Sequence, residues 1–235
     1  MKIKFGPNVC GETGKSEELI KNIKTSLNFS DEAVELALQD LSRVGNNREV
    51  NNLIKSFKYI SIHMPVIKNN LFISYPDLSI ETEISSIDEI IDAISPHTIL
   101  FHPDLINDFE WVRSKYGSRL AFENMDSRKN FGKTVEDMIN VFEMCPDAKF
   151  VLDVNHIYTN DKTMKLANDF YLAFKDRLTH YHLSGYGGFH DALCKTHEDI
   201  ILKGIESFDY PIIHEGNLLQ MNILKEEFEY ISKLI

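Results

Sequence analysis

The feature that most constrains the fold of this chain is an alternation of short apolar runs with longer amphipathic segments, repeated eight times. The runs are typical of β-strands because they are short and rich in β-branched and aromatic residues, as in YISIHMP (59–65). The segments between them carry apolar residues at helical spacing, as in EELIKNIKTSL (17–27) and HEDIILKGIESF (197–208). Strands that alternate with helices form βαβ units and a parallel sheet.

Eight such units in 235 residues predict an α/β fold in which a single (β/α)₈ TIM-barrel domain spans residues 1–235. A doubly wound open sheet is the alternative, since it is built from the same units. The predicted strands are IKFG (3–6), AVELAL (33–38), YISIHMP (59–65), TILFHPD (98–104), RLAFEN (119–124), KFVLDVNH (149–156), LTHYHLSG (178–185) and YPIIHEG (210–216).

Side chains that bind metals stand near the ends of six consecutive predicted strands. In a parallel barrel these positions meet at one mouth, the C-terminal face, where barrel enzymes have their active sites. Imidazole and carboxylate ligands together suit Zn²⁺, Mn²⁺ or Fe²⁺, and six of them suffice for two ions that share a carboxylate. A lone residue of this kind is more often structural, but six in register indicate a shared site. The six are His63, His102, Glu123, Asp153, His182 and Glu215.

The alternation of a strand fixes which of its residues share a face. In RLAFEN, Ala121 and Glu123 share one face, and in YPIIHEG, Ile213 and Glu215 share one face while His214 points to the other. This pattern fits one ring of ligand side chains pointing into the barrel.

Charge and cysteine content limit which partners the protein can bind and in which cellular compartment it is expected. The net charge of −11 argues against a broad polyanion-binding surface, although it leaves room for a small basic patch. Three cysteines without C-x-x-C spacing, no apolar run of membrane-spanning length and no apolar signal region predict a cytoplasmic protein with no membrane association. No protein partner is indicated.

The ordered stretches SIHMP, FHPD, FENMD, LDVNH, HLSG and IIHEG run over most of the chain. Together they resemble the xylose-isomerase-like TIM-barrel superfamily and, within it, the endonuclease IV branch (AP endonuclease family 2). The resemblance implies a multi-metal site with Zn²⁺ as the leading ion. It implies that His63, His102 and Glu123 hold a first ion, and that Glu123 also bridges to a second ion held with Asp153, His182 and Glu215.

The resemblance also implies a third ion, whose ligands are only partly present. His156 in LDVNH matches one of them. The loop GYGGFHDALCKTH supplies either His190 or His197 as another, with Gly188 or Lys195 at the position where the family has an aspartate. Because either alignment lacks that carboxylate, the third ion stays open, and HDAL favours His190.

The loop after Glu123 carries three cations, Arg128, Lys129 and Lys133, which could hold a substrate phosphate. An ordinary solvated loop explains them equally well. Asn124 directly follows the ligand Glu123, so it is a candidate to orient either that ligand or the substrate.

Three functions fit this site. The resemblance implies metal-dependent phosphodiester hydrolysis with Glu123, Asp153 and Glu215 as catalytic residues, acting on abasic DNA or a small phosphate-bearing substrate. His63 and His102 favour it because they add a second metal position.

The alternative is a metal-dependent sugar or sugar-phosphate isomerase or epimerase, in which Glu123 and Glu215 act as acid and base and His156 contacts the substrate. The acidic charge, the short chain and the incomplete third site favour that reading. A metal-binding barrel without catalysis is the third possibility, and the presence of all six ligands counts against it.

Overall fold

The computed structural model describes residues 3–10, 17–38, 40–41, 45–187, 190–216, 218 and 222–235. Eight parallel strands close into a barrel in which each strand neighbours the preceding and following barrel strand of the chain. Closure confirms the predicted (β/α)₈ barrel over the doubly wound open sheet. The strands are β1 Phe5–Cys10, β2 Ala33–Ala37, β3 Tyr59–His63, β4 Ile67–Lys68, β5 Leu71–Phe72, β6 Thr98–Phe101, β7 Leu120–Glu123, β8 Lys149–Asp153, β9 Leu178–Leu183 and β10 Ile212–His214, of which β4 and β5 form a separate antiparallel hairpin.

Helices follow the barrel strands and cover the barrel. Their apolar faces and the outward residues of the strands form one large core between the two layers. Within the described residues, no helix is both long and apolar enough to cross a membrane. The helices are α1 Glu17–Phe29, α2 Arg48–Ile54, α3 Glu81–Ile94, α4 Phe109–Tyr116, α5 Val135–Met144, α6 Val154–Asn160, α7 Lys165–Phe174, α8 Leu193–Thr196 and α9 Leu224–Leu234.

The interior of the barrel has an apolar side and a polar side. Leu100, Ala121 and Val151, on β6, β7 and β8, form a small buried cluster of their own. On the other side, Asn8, Glu35 and Ser61 are register neighbours on β1, β2 and β3, so their side chains point the same way. The polar side reaches the candidate ligands where Glu35 contacts His182 near the end of β9.

Four local predictions were incomplete. The first strand, predicted over 3–6, runs instead over Phe5–Cys10. The helix predicted over 197–208 is only a 3₁₀ segment at Asp199–Gly204, and His197 before it takes a positive φ of 56° that ends the short α8. The strand predicted over 149–156 stops at Asp153, whose carboxylate accepts the His156 N–H at 2.7 Å and begins α6. The β4–β5 hairpin had no clear sequence signal.

Candidate metal centre

The structure brings the six strand-end residues together at the C-terminal mouth of the barrel. Glu123 and Asp153 end β7 and β8, His63 ends β3, and His182 lies near the end of β9. His102 and Glu215 directly follow β6 and β10. The mouth opens into a cavity of about 200 Å³, lined by His63, His102, Glu123, His156, His190, Glu215, Asn8, Ala37, Val66 and Ile67.

The carboxylate of Glu123 faces two groups of ligands, one with each oxygen. Its Oε1 lies 2.8 Å from His102 Nε2 and 3.8 Å from His63 Nε2. These two ring nitrogens are 3.2 Å apart. Its Oε2 lies 3.0 Å from His182 Nδ1 on the opposite side. Glu123 is therefore placed between two sets of donor atoms.

The second set is built around His182. Its Nδ1 lies 3.2 Å from Glu215 Oε1 and 3.9 Å from Asp153 Oδ2. The ligand atoms of Asp153, His182 and Glu215 all fall within 4.8 Å of one another, as do those of His63, His102 and Glu123. Both groups have the compactness that a single ion requires.

Unsatisfied polar atoms mark the centre of this arrangement. Glu123 Oε2, Asp153 Oδ2 and His182 Nδ1 are buried, and none has a hydrogen-bond partner among the described residues. Buried polar atoms are rarely left unpaired, because each costs free energy to desolvate. Two carboxylate oxygens and an imidazole nitrogen converging in this way are matched to a divalent cation.

Crowding of the carboxylates pushes their pKa values apart. Burial and the charges of Glu123 and Asp153 raise the pKa of Glu215 to about 8, against the opposing charge of His182. Burial alone would raise the pKa of Glu123 as well. The charge of His102 and its contact with the carboxylate, together with the nearby rings of His182 and His63, instead hold that pKa well below its usual range.

Two further histidines stand at the cavity on the side of Glu215. His156 donates from Nδ1 to Asn124 O at 2.8 Å, and its ring centroid lies 5.9 Å from that of His190. His190 Nδ1 lies 3.4 Å from Glu215 Oε2. His197 instead is exposed and contacts Tyr230 OH on α9 at 2.9 Å. His190 therefore lies at the site and His197 outside it, while Gly188 falls outside the described residues.

The residues predicted to contact substrate have other partners. Arg128 pairs with Asp126, with Nε 2.9 Å from Oδ1. Lys129 Nζ lies 2.8 Å from Asp104 Oδ2 and 4.9 Å from the centre of the Phe72 ring in the β4–β5 hairpin. Neither cation lines the cavity. Their contact with substrate stays a prediction.

Asn124 holds a ligand in place. Its buried side chain donates to Asp153 O and accepts from Asp153 N, each at 2.9 Å. This pair of bonds ties the loop after β7 to the end of β8. Asn124 thus orients the backbone of Asp153 and not its neighbour Glu123, and its contact with substrate stays a prediction.

Sequence reasoning missed Glu35, a fully buried carboxylate on β2. It lies 3.2 Å from His182 Nε2, the ring nitrogen that points away from Glu123 and Glu215. A charged residue inside the apolar run AVELAL was the available signal, because Val34 and Leu36 point to the other side of the strand. Burial would raise the pKa of Glu35, but the charge of His182 and hydrogen bonds from His180 and His182 hold it well below its usual range.

Comparison with known proteins places the fold but no single activity. No protein-family description and no curated protein matches the sequence. Among solved structures, endonuclease IV from Thermus thermophilus is 14% identical with a TM-score of 0.68, over 97% of this chain and 99% of that chain. The 3-keto-D-glucoside 4-epimerase from E. coli is 13% identical with a TM-score of 0.61, over 99% and 100%. The probable 3-DHS dehydratase from Bacillus anthracis is 14% identical with a TM-score of 0.56, over 97% and 98%.

Proposed function

We infer the reaction from the site, because the chain has the fold of the xylose-isomerase-like TIM barrels, as its motifs predicted, and proteins named for three different reactions share that fold. The fold alone therefore does not select a reaction, and the site must do so.

We propose that the protein is a divalent-metal-dependent phosphodiester hydrolase whose centre lies at the C-terminal mouth of the barrel. The observation that carries this proposal is the placement of Glu123, with one oxygen toward His63 and His102 and the other toward His182. A carboxylate shared in this way suits two neighbouring ions, the arrangement used to clamp both oxygens of a phosphoryl displacement. A one-ion site built from Asp153, His182 and Glu215 would not explain why His63 and His102 also face Glu123.

In this proposal His63, His102 and Glu123 hold one ion, and Glu123, Asp153, His182 and Glu215 hold the other. The mixed imidazole and carboxylate set favours Zn²⁺, with Mn²⁺ or Fe²⁺ as substitutes. When bound, such ions polarise a phosphoryl oxygen and make water a nucleophile near neutral pH.

The protein's own groups shape the rest of the reaction. His156 and His190 stand at the cavity beside Glu215, where they would hold the third ion that the resemblance implies or donate to phosphate oxygens. Val66 and Ile67 form an apolar wall next to His63 and limit the access of bulk water. Asn124 keeps Asp153 in position through its two backbone hydrogen bonds.

The second candidate is a sugar or sugar-phosphate isomerase or epimerase. The size of the cavity favours it, because about 200 Å³ is below the roughly 300–1,000 Å³ of pockets for drug-sized ligands. Glu123 and Glu215 lie on two sides of His182 Nδ1, at 3.0 and 3.2 Å, and would serve as the acid and base. A small phosphodiester would satisfy both the cavity size and the two-ion arrangement.

The deciding experiment is cleavage of an end-labelled duplex with one abasic site, in parallel with a small nitrophenyl phosphodiester, with Zn²⁺ or Mn²⁺ added. We expect metal-dependent cleavage of at least one of them, reduced at least ~100-fold in Glu123→Gln. The matched control is Glu226→Gln on α9, which removes the same charge from an exposed pair with Lys195 of α8 and should retain activity.

A folded, metal-loaded protein that cleaves no phosphodiester would contradict the hydrolase. Incorporation of solvent deuterium into a ketose or ketose phosphate would then establish the isomerase or epimerase. Metal binding without turnover of either substrate class would support the third possibility, a metal-binding barrel without catalysis.

A further inference from the structure

A second layer of polar residues lies beneath the ligand ring, inside the barrel. Its central member is Glu35, which accepts hydrogen bonds from Asn8 Nδ2 at 3.1 Å and Ser61 Oγ at 2.7 Å. These donors are its register neighbours on β1 and β3, so the sheet itself holds the carboxylate in place. Both Glu35 and Ser61 are fully buried.

The His182 ring connects this layer to the ligand ring. Its Nε2 lies 3.2 Å from both oxygens of Glu35, and its Nδ1 faces Glu123 and Glu215. Since an ionised carboxylate can only accept, Nε2 must carry the proton in this contact. In the neutral imidazole that a metal ion binds, the lone pair of His182 is then on Nδ1, among the ligand atoms.

We propose that Glu35 is a positioning residue of the metal centre, which holds the His182 ring in the orientation and tautomer that present Nδ1 to the metal. The inference rests on the proposed metal site. A carboxylate behind a metal-binding histidine also makes the imidazole more basic and the metal more tightly held. Glu35 does not line the cavity, so it acts through His182 and does not touch substrate.

A rival reading is that Glu35, His180 and His182 hold an ion of their own, since their ligand atoms also lie within 4.8 Å of one another. The hydrogen bonds argue against it. Both oxygens of Glu35 already accept bonds from Asn8 and Ser61, and His180 Nε2 is within hydrogen-bonding distance of His182 Nε2 at 3.1 Å. Among the described residues, the unpartnered nitrogen of His182 is Nδ1, not Nε2.

The test is Glu35→Gln, with Zn²⁺ affinity measured by competition against a chromophoric chelator and Co²⁺ absorption recorded for the geometry of the centre. We expect Zn²⁺ to bind ~10–100-fold more weakly, with the number of ions per chain unchanged and an altered Co²⁺ spectrum. Ser61→Ala, which removes one donor to Glu35, should weaken binding by a smaller factor and covers the case in which Glu35→Gln does not fold.

Val34→Ala is the matched control, because Val34 lies beside Glu35 on β2, is equally buried and faces the helices. It should lower the free energy of unfolding and leave Zn²⁺ affinity and the Co²⁺ spectrum as in the wild type.

The outcomes separate this inference from the proposed function. A wild-type protein that binds no divalent metal would overturn both. Wild-type binding with unchanged affinity in Glu35→Gln, or equal weakening in Val34→Ala, would overturn the inference alone. Loss of one ion per chain in Glu35→Gln, with the remaining ions unaffected, would show that the rival ion site exists and that the positioning role is wrong.

Discussion

At the residue scale, the mouth of this barrel concentrates more negative charge than a protein interior holds without compensation. Glu123 and Asp153 are buried beside Glu215, and their unpartnered oxygens point to the same space. In the absence of a cation, protons take its place, which is why burial and its carboxylate neighbours raise the pKa of Glu215 to about 8. Proton and metal therefore compete for the same atoms.

This competition predicts how the metal-free protein responds to pH. The pKa of Glu215 is raised from 4.5 to about 8 in the fold, so the folded state binds a proton that the unfolded state releases. Its stabilising contribution is complete below pH 4.5 and is lost as the pH rises through 8. The pKa of His63, which burial would lower, is raised to about 9 by Glu123 and Glu35. Deprotonation of His63 therefore also lowers the stability of the fold as the pH rises.

We therefore expect the chelator-treated protein to lose free energy of unfolding between about pH 6 and about pH 9, measured by urea denaturation. Glu215→Gln, which removes one of the titrating groups, should flatten the dependence. A wild-type stability that rises over this pH interval would contradict the raised pKa values of Glu215 and His63.

At the element scale, the connection between β7 and β8 decides where Asp153 sits. Asn124→Ala removes both hydrogen bonds to the Asp153 backbone and leaves a buried N–H and a buried carbonyl unpaired. We expect a loss of roughly 2–4 kcal/mol in the free energy of unfolding, with weaker metal binding. Denaturation and chelator competition measure the two effects.

The control for Asn124→Ala is Asn107→Ala, which removes an exposed hydrogen bond to Ser74 and should change stability by less than about 0.5 kcal/mol. Equal effects of the two substitutions would refute the role of Asn124.

The β4–β5 hairpin is the other element with a consequence for function. It follows β3 directly beyond His63, and Leu71 and Phe72 on it are each 72% exposed. Apolar side chains of this kind can insert between the bases of DNA at a minor-groove or lesion site. The hairpin thus offers an apolar contact beside the mouth despite the acidic charge of the chain.

If the substrate is abasic DNA, Phe72→Ala should lower the rate of duplex cleavage about tenfold and leave hydrolysis of a small phosphodiester unchanged, as loss of one base-stacking contact predicts. Leu172→Ala, at an exposed position on α7, is the control. Equal losses on both substrates would show that the hairpin supports the site and does not contact DNA.

At the scale of the whole molecule, metal binding should stabilise the fold, because the ligands come from six strands that meet only in the folded barrel. At a free metal concentration of 100 times the dissociation constant, the gain is about 2.7 kcal/mol. For a chain of this length that corresponds to a rise in Tm of roughly 5–11 °C.

Thermal unfolding before and after chelation, and again after Zn²⁺ is restored, measures this gain. Glu123→Gln should abolish most of the shift because it removes a ligand common to both groups. An unchanged Tm in the wild type would mean that these residues bind no metal tightly.

The sequence by itself determined the barrel and the place of its candidate ligands at the strand ends. Both follow from local periodicity: eight apolar runs predict eight strands, and alternation within a strand predicts that Glu215 points inward while His214 points outward. His214 does turn away and pairs with Glu227 on α9 at 2.8 Å. Parallel strands then bring all six strand ends to one mouth, whatever the details of the packing.

Only the tertiary structure decided which side chains meet when they are far apart in the chain, because such contacts depend on how deep each residue lies in the barrel. Whether His190 or His197 reaches the cavity depends on where α8 ends, and the partners of Lys129 depend on a hairpin without a clear sequence signal. Glu35 meets His182 across 147 positions of sequence because closure of the barrel sets them at adjacent depths. Local periodicity shows which way a side chain points, but the stagger of the closed strands determines what it meets there.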